Sequence, residues 1–262
     1  MKEQRRNKMQ LKCLDLRVLN RDVIKYIAMF TMLLNHIANI FLTPGTISHM
    51  LLVDIGYFTA PVMCFFLVEG YRYTHSKKRY ALRLFTFAVI SEFPFCLAFS
   101  ETFNGVRGIS FCGFNMIFTL FLCFCILLVR EYVMDVGMKM LLIAGLVIFS
   151  LFSDWALLAP VFTLLFAWAG QDREKIKRAF VIGTALFAFS RFMPGADGAE
   201  TLASLGEALL AAGGVALAGI AIVCFYNGKR MERGRLFSKW FFYLFYPGHL
   251  LVLGMIRIWG LV

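Results

Sequence analysis

Lys25 and His36 stand eleven residues apart in a largely apolar stretch. On an α-helix that separation turns the chain by about 1,100°, about 20° past three whole turns, and advances it by about 16.5 Å. The two side chains therefore share a face, with the cation at the mouth and the imidazole three turns deeper. An acyl-coenzyme A needs such an arrangement: cations for the nucleotide phosphates, an apolar slot for the pantetheine arm, and a base where the thioester arrives. Imidazole suits that last task. With an unperturbed pKa of about 6.5, it can take a proton from an attacking amine or hydroxyl and return it to the departing thiolate. The same spacing equally fits a hydrogen-bonded interior histidine and a lysine that merely snorkels to a surface.

Other polar residues interrupt apolar runs. Glu92, Asn115, Thr119, Asp154 and His249 are expected at one depth with His36, which suggests a shared polar cavity, although Asn115 and Thr119 also fit helix–helix hydrogen bonds. Pro94 and Pro247 each remove a helical hydrogen bond near these groups. At the other depth Glu69, Arg72, Lys77, Lys78, Arg79 and Arg83 cluster. Arg79 and Arg83, four apart, are neighbours on a helix and can clamp a phosphate. Glu69 and Arg72 can pair with each other, and Lys77 and Lys78 read as ordinary loop charges. The run Phe241-Phe242-Tyr243-Leu244-Phe245-Tyr246 reads as lipid-facing and interfacial surface.

The elements that must position these groups follow from composition. With 60% hydrophobic residues, 29 phenylalanines and only 16% charged residues, 262 residues cannot form one soluble core with an ordinary polar surface. The fold class is an all-α polytopic membrane protein of about nine transmembrane helices. Spans are expected at 24–42, 51–69, 80–99, 113–129, 138–152, 155–169, 179–193, 202–226 and 240–260. The fifth and sixth are short and either cross fully or form a re-entrant hairpin. Residues 1–23 read as a basic cytoplasmic segment, not a cleaved signal, and 24–262 as a single transmembrane domain. With the N-terminus cytoplasmic, 24 of the 27 lysines and arginines fall on the inner side, leaving only Arg107, Arg191 and Arg257 outside. That bias sets an N-inside, C-outside topology and accounts for the +11 charge without any nucleic-acid partner. The seven cysteines lack metal-ligand spacing and read as small buried hydrophobes, so no metal site is expected.

Five motifs in order carry a resemblance that covers nearly the whole chain. They are Lys25-Tyr-Ile-Ala with Asn35-His36-Ile37; Gly56…Pro61…Glu69-Gly70-Tyr71-Arg72-Tyr73-Thr74; Lys78-Arg79-Tyr80…Arg83-Leu84…Ser91-Glu92-Phe93-Pro94; Asn115-Met-Ile-Phe-Thr119; and Lys239…Tyr246-Pro247-Gly248-His249. The chain resembles the TraX family of bacterial inner-membrane proteins, and its Lys25-x10-His36 spacing is similar to a basic-x10-histidine pattern of transmembrane acyltransferases. Asn35, Tyr57 and Cys96 depart from the family's more usual acid, arginine and acid.

The resemblance implies a multi-pass protein of the bacterial cytoplasmic membrane that acetylates the N-terminal amine of a pilin. Acetyl-CoA is the implied co-substrate, and no cofactor is permanently bound. On that reading Lys25, Glu69, Arg72, Arg79 and Arg83 bind the acyl-CoA, while His36 is the general base. His249 and Asp154 orient the acceptor or stabilise the oxyanion, and Glu92, Asn115 and Thr119 contact the acceptor, an amine or hydroxyl on a peptide N-terminus or glycan. Two other readings stand beside it: a small-solute or proton-coupled transporter, in which the buried acids and histidines relay protons, and a non-enzymatic membrane assembly factor.

Overall fold

The computed structural model describes residues 17–105 and 108–260. Most of the basic N-terminal segment, Cys13 and Arg107 lie outside the described residues. Among the described residues every named element is helical. In chain order these are α1 (Arg21–Phe41), α2 (Ile47–Gly56), α3 (Thr59–Tyr73), α4 (Lys77–Asn104), α5 (Met116–Tyr132), α6 (Val136–Phe149), α7 (Leu158–Ala169), α8 (Arg173–Arg191), α9 (Gly198–Ile220) and α10 (Arg235–Trp259). Each of the nine apolar stretches expected from the sequence is helical, with the second split into α2 and α3 at Tyr57-Phe58. Among the described residues five segments are long and apolar enough to cross a membrane: α1, α2 with α3, α4, α9 with its π-helical last turn, and α10. Large apolar side chains such as Phe30, Leu82, Leu141, Leu210 and Val252 lie exposed around them. So many exposed large apolar side chains on apolar helices of that length belong in lipid rather than water, so the chain is a multi-pass membrane protein.

Polar side chains close the helix starts. Asn20, Thr46, Ser76, Asn115, Asp135, Asp172 and Asp197 each accept a backbone N–H of the first turn, satisfying donors that a helix leaves open. α4 ends on Gly105, whose φ of +67° is the left-handed conformation that glycine adopts without strain. Both α4 and α10 continue through their internal prolines.

α3 is the central post, buried along nearly its whole length. α1, α5, α7 and α9 pack around it, and α10 lies along α4 and α1. α6 has no buried residue and forms the periphery. At Gly56, where α2 meets α1, an added Cβ would fall 2.2 Å from the Asn35 Cβ. Asn35 donates to the Val53 carbonyl at 2.9 Å, so the residue before His36 serves the α1–α2 contact. At the end of α10 the Arg257 guanidinium donates to the Leu97 carbonyl and to the Glu101 carboxylate, tying α10 to α4.

Candidate functional site

A cavity of about 500 Å³ lies between α1, α3, α4, α5 and α10. α1 contributes Lys25, Met29 and Met32 at successive turns of one stripe, and His36 continues that stripe. The mouth carries Arg21, Lys25, His75, Arg83, Arg230 and Lys239 against a single acid, Asp22. Asp22 is engaged, since its carboxylate accepts the Met231 N–H at 2.8 Å. Deeper in, Met29, Met63, Phe66, Leu67 and Leu84 line the walls, and Thr59, Met32, Met116 and Tyr246 lie beyond them.

Aromatic faces hold the cations in place. The Lys25 ammonium sits 4.9 Å from the Phe242 ring centroid and 5.7 Å from that of Phe66, and the Arg83 guanidinium is 5.5 Å from the Tyr80 ring. The Arg83 Nε is enclosed without a hydrogen-bond partner. Arg21 donates to the Phe66 carbonyl at 3.2 Å and pairs with Glu69 at 3.6 Å. Gly70 makes room for this packing, because an added Cβ would lie 3.0 Å from the Tyr80 hydroxyl and 3.3 Å from the Arg21 guanidinium.

The predicted phosphate-binding set is divided by the fold. Lys25 and Arg83 meet in this cavity, but Glu69 and Arg72 line a second one of about 280 Å³ on the other side of α3. Arg79 is exposed and lines neither. Glu69 pairs with Arg21 and accepts the Tyr226 hydroxyl at 2.7 Å, not Arg72. Burial, followed by that bond to a carboxylate, raises the Tyr226 phenol well above its ordinary pKa and keeps it a donor. Lys77 reaches Glu131, which also accepts the Tyr71 hydroxyl. Phe242, Tyr243 and Tyr246 line the cavity, so the aromatic run of α10 is only partly lipid-facing surface.

The deeper polar residues come together in partnered groups. Asn115 donates to the Ala88 carbonyl at 2.8 Å and to the Glu92 carboxylate at 2.7 Å, while its own carbonyl caps α5. The Thr119 hydroxyl donates to the Asp154 backbone carbonyl at 2.6 Å. Phe114 also donates its N–H to the Phe152 carbonyl and accepts the Asp154 N–H, both at 2.8 Å, which anchors the turn between the fifth and sixth stretches. None of these residues lines either cavity.

His36 and His249, both buried, stack at 5.0 Å between ring centroids, with His36 Nδ1 2.8 Å from His249 Nε2. His249 Nδ1 lies 2.7 Å from the Phe245 carbonyl, a contact that requires an N–H on that nitrogen. With both rings neutral, His249 Nε2 must then accept and His36 Nδ1 must donate, which leaves the His36 lone pair on Nε2. No described residue hydrogen-bonds that atom. Tyr246 stands between cavity and imidazoles. Its hydroxyl accepts the Met116 N–H at 3.2 Å, and its ring centroid is 6.3 Å from that of His36 and 5.7 Å from that of His249. His36 therefore sits one helical turn beyond Met32, behind the inner end of the cavity and not on its wall.

Arg21, Arg230, Lys239 and Tyr246 were not singled out as site residues by spacing. For the first three the available signal was a basic residue at a predicted span mouth. Among the described residues no His, Cys, Asp or Glu cluster could hold a metal, and the six described cysteines are free. Burial, together with the neighbouring Cys96, pushes the Cys112 thiol up to about 12, far from a reactive thiolate.

A family model described as "TraX protein" matches residues 20–257. A protein of Dichelobacter nodosus named "Probable fimbrial assembly protein FimC, serogroup H1" is 31% identical over 235 residues, covering 88% of this chain and 92% of that relative. No solved structure matches.

Proposed function

The chain belongs to the TraX family, and from that premise and the geometry of the larger cavity we propose that it is an acyltransferase of the bacterial cytoplasmic membrane. It moves an acetyl group from acetyl-CoA to an amine or hydroxyl acceptor. The observation that carries this reading is the cavity itself. It is cationic at the mouth and methionine- and aromatic-lined within, and it points along the α1 stripe at an imidazole whose Nε2 lone pair is left free. Arg21, Lys25, Arg83, Arg230 and Lys239 hold the nucleotide phosphates, and the pantetheine arm lies along Met29 and Met63. The thioester reaches His36 when the Tyr246 side chain swings aside. The basic end faces the cytoplasm, and the fifth and sixth stretches, whether they cross or re-enter as a pair, leave that orientation unchanged.

In the transfer step the acceptor nitrogen or oxygen attacks the thioester carbonyl carbon, and His36 Nε2 takes its proton. The C–S bond then breaks and the imidazolium returns the proton to the thiolate. His249, accepting from His36 Nδ1, fixes the reactive tautomer and shares the positive charge. The relative's name ties that protein to fimbrial assembly, and a fimbrial subunit, through its N-terminal amine or an attached glycan, is the acceptor we propose. That name equally favours a second reading, a non-enzymatic assembly factor. Purified chain incubated with acetyl-CoA and an acceptor peptide separates the two: coenzyme A release and a 42 Da gain in the peptide, both lost in His36→Gln, are expected of the enzyme. Undiminished transfer by His36→Gln would refute the proposal.

A further inference from the structure

The smaller cavity is not part of the acyl-CoA route, and its lining calls for a ligand of its own. It lies where the end of α3, the α7–α8 turn and residues 222–228 meet. Three arginines face it: Arg17 ahead of α1, Arg72 at the end of α3 and Arg173 at the start of α8. The sole acid on its wall, Glu69, is already committed to Arg21 and the Tyr226 hydroxyl. The Arg72 guanidinium makes no hydrogen bond or ion pair with any described residue, and Arg173 spends one donor on the Val223 carbonyl at 2.5 Å. Positive charge is therefore in excess, and most of its donors are uncommitted.

The α7–α8 turn brings the backbone beside those donors. Gly170 ends α7 at φ +69°, a left-handed conformation that glycine adopts without strain, and the Arg72 guanidinium lies beside it. Asp172 already caps α8 by accepting from Glu174 and Lys175, so an anion in this cavity would be held by side chains and not by the helix end. The floor is apolar, formed by Phe65, Val68, Phe166 and Ile222. A cationic rim over an apolar floor fits a phosphate group carrying an apolar or partly apolar substituent. It does not fit a carboxylate-rich peptide, which would leave that floor unfilled.

We propose that this second cavity is a phosphate-binding site, formed by Arg17, Arg72 and Arg173 and separate from the acyl-CoA cavity. The shared chemistry is that of the phosphate group, and its two sources are an anionic phospholipid headgroup and a free soluble phosphate. The site is wired to the catalytic half. Residues 225–231, which supply Tyr226 to this cavity and Arg230 to the other, are hydrogen-bonded to residues 19–22 at the start of α1. Tyr73 lines both cavities.

The test uses the full chain in neutral phosphatidylcholine nanodiscs or detergent, with native mass spectrometry and thermal unfolding as readouts. Two probes are added separately, short-chain phosphatidylglycerol and inorganic phosphate at matched ionic strength. One bound anion per chain is expected, with its affinity lowered about tenfold in Arg72→Gln and again in Arg173→Gln. Retention of phosphatidylglycerol alone names the lipid source, and stabilisation by inorganic phosphate names the soluble one. Binding of neither probe, or binding undiminished in both variants, would overturn the proposal. Lys25→Gln changes the other cavity only, so persistence of anion binding in that variant keeps this result separable from the acyltransferase test.

Discussion

Two regions of this molecule hold ionisable groups inside an apolar bundle, and they treat them in opposite ways. In the deep polar layer the groups are spent on one another. Asn115 meets Glu92, Thr119 meets the Asp154 backbone, and His249 meets both His36 and the Phe245 carbonyl. Around the two cavities at the basic end the cations outnumber the acids, and the lining acids, Asp22 and Glu69, already have partners in the Met231 N–H and Arg21. Polar groups that satisfy one another act as helix–helix glue, whereas cations left in excess around a cavity are capacity for a ligand. The Ser91 hydroxyl in that layer also has no partner, but His36 Nε2 is the free atom there that can act as a base, and for that reason it is the candidate.

The largest expected effect tests that exception. His36→Gln retains a donor toward His249 but loses the lone pair, so acetyl transfer should fall by about 10²–10⁴-fold while the unfolding temperature stays close to that of the parent. Unchanged turnover would place His36 with the rest of the glue. Asn115→Ala probes the glue itself. It removes the α5 cap and the Glu92 partner together and should lower stability by about 2–3 kcal/mol, read from thermal unfolding in detergent. A neutral result there would erase the contrast between the two regions. At the basic end, Lys25→Gln and Arg83→Gln should each raise the KM for acetyl-CoA about tenfold with kcat little changed, since each removes one cation from a phosphate. A fall in kcat instead would move these residues from binding to chemistry. The smallest change comes from Gly70→Ala, whose Cβ meets the ends of two side chains, the Tyr80 phenol and the Arg21 guanidinium, and no backbone of another element. A two- to threefold rise in KM, about 0.5 kcal/mol, would come from crowding the mouth, and a large loss of stability would show that Arg21 cannot shift.

Local spacing was informative for the α1 stripe and for the spans. Lys25, Met29, Met32 and His36 share a stripe because helical periodicity acts over a few turns, and the apolar runs announced their helices because a bilayer demands length and hydrophobicity together. Spacing failed where two readings of one interval compete. Glu69 and Arg72, three apart, looked like a pair, yet Glu69 turns to Arg21 and Arg72 faces the second cavity. Arg79 and Arg83, four apart, looked like a clamp, yet only Arg83 reaches the cavity. The aromatic run of α10 has no marker telling a lipid-facing ring from a cavity-lining one, because both environments are apolar.

The amino-acid sequence alone determined the helical membrane class, the family and the face that unites Lys25 with His36. These are properties of one segment or of the summed composition, which physical chemistry reads without knowing neighbours. Only the tertiary structure decided that His36 meets His249, 213 residues away, and that Tyr246 stands before them. It also decided that one set of predicted cations is parted by α3 into two cavities. Those relations depend on which helices pack together and at what rotation, and a charge or a ring carries no record of that in its own position along the chain.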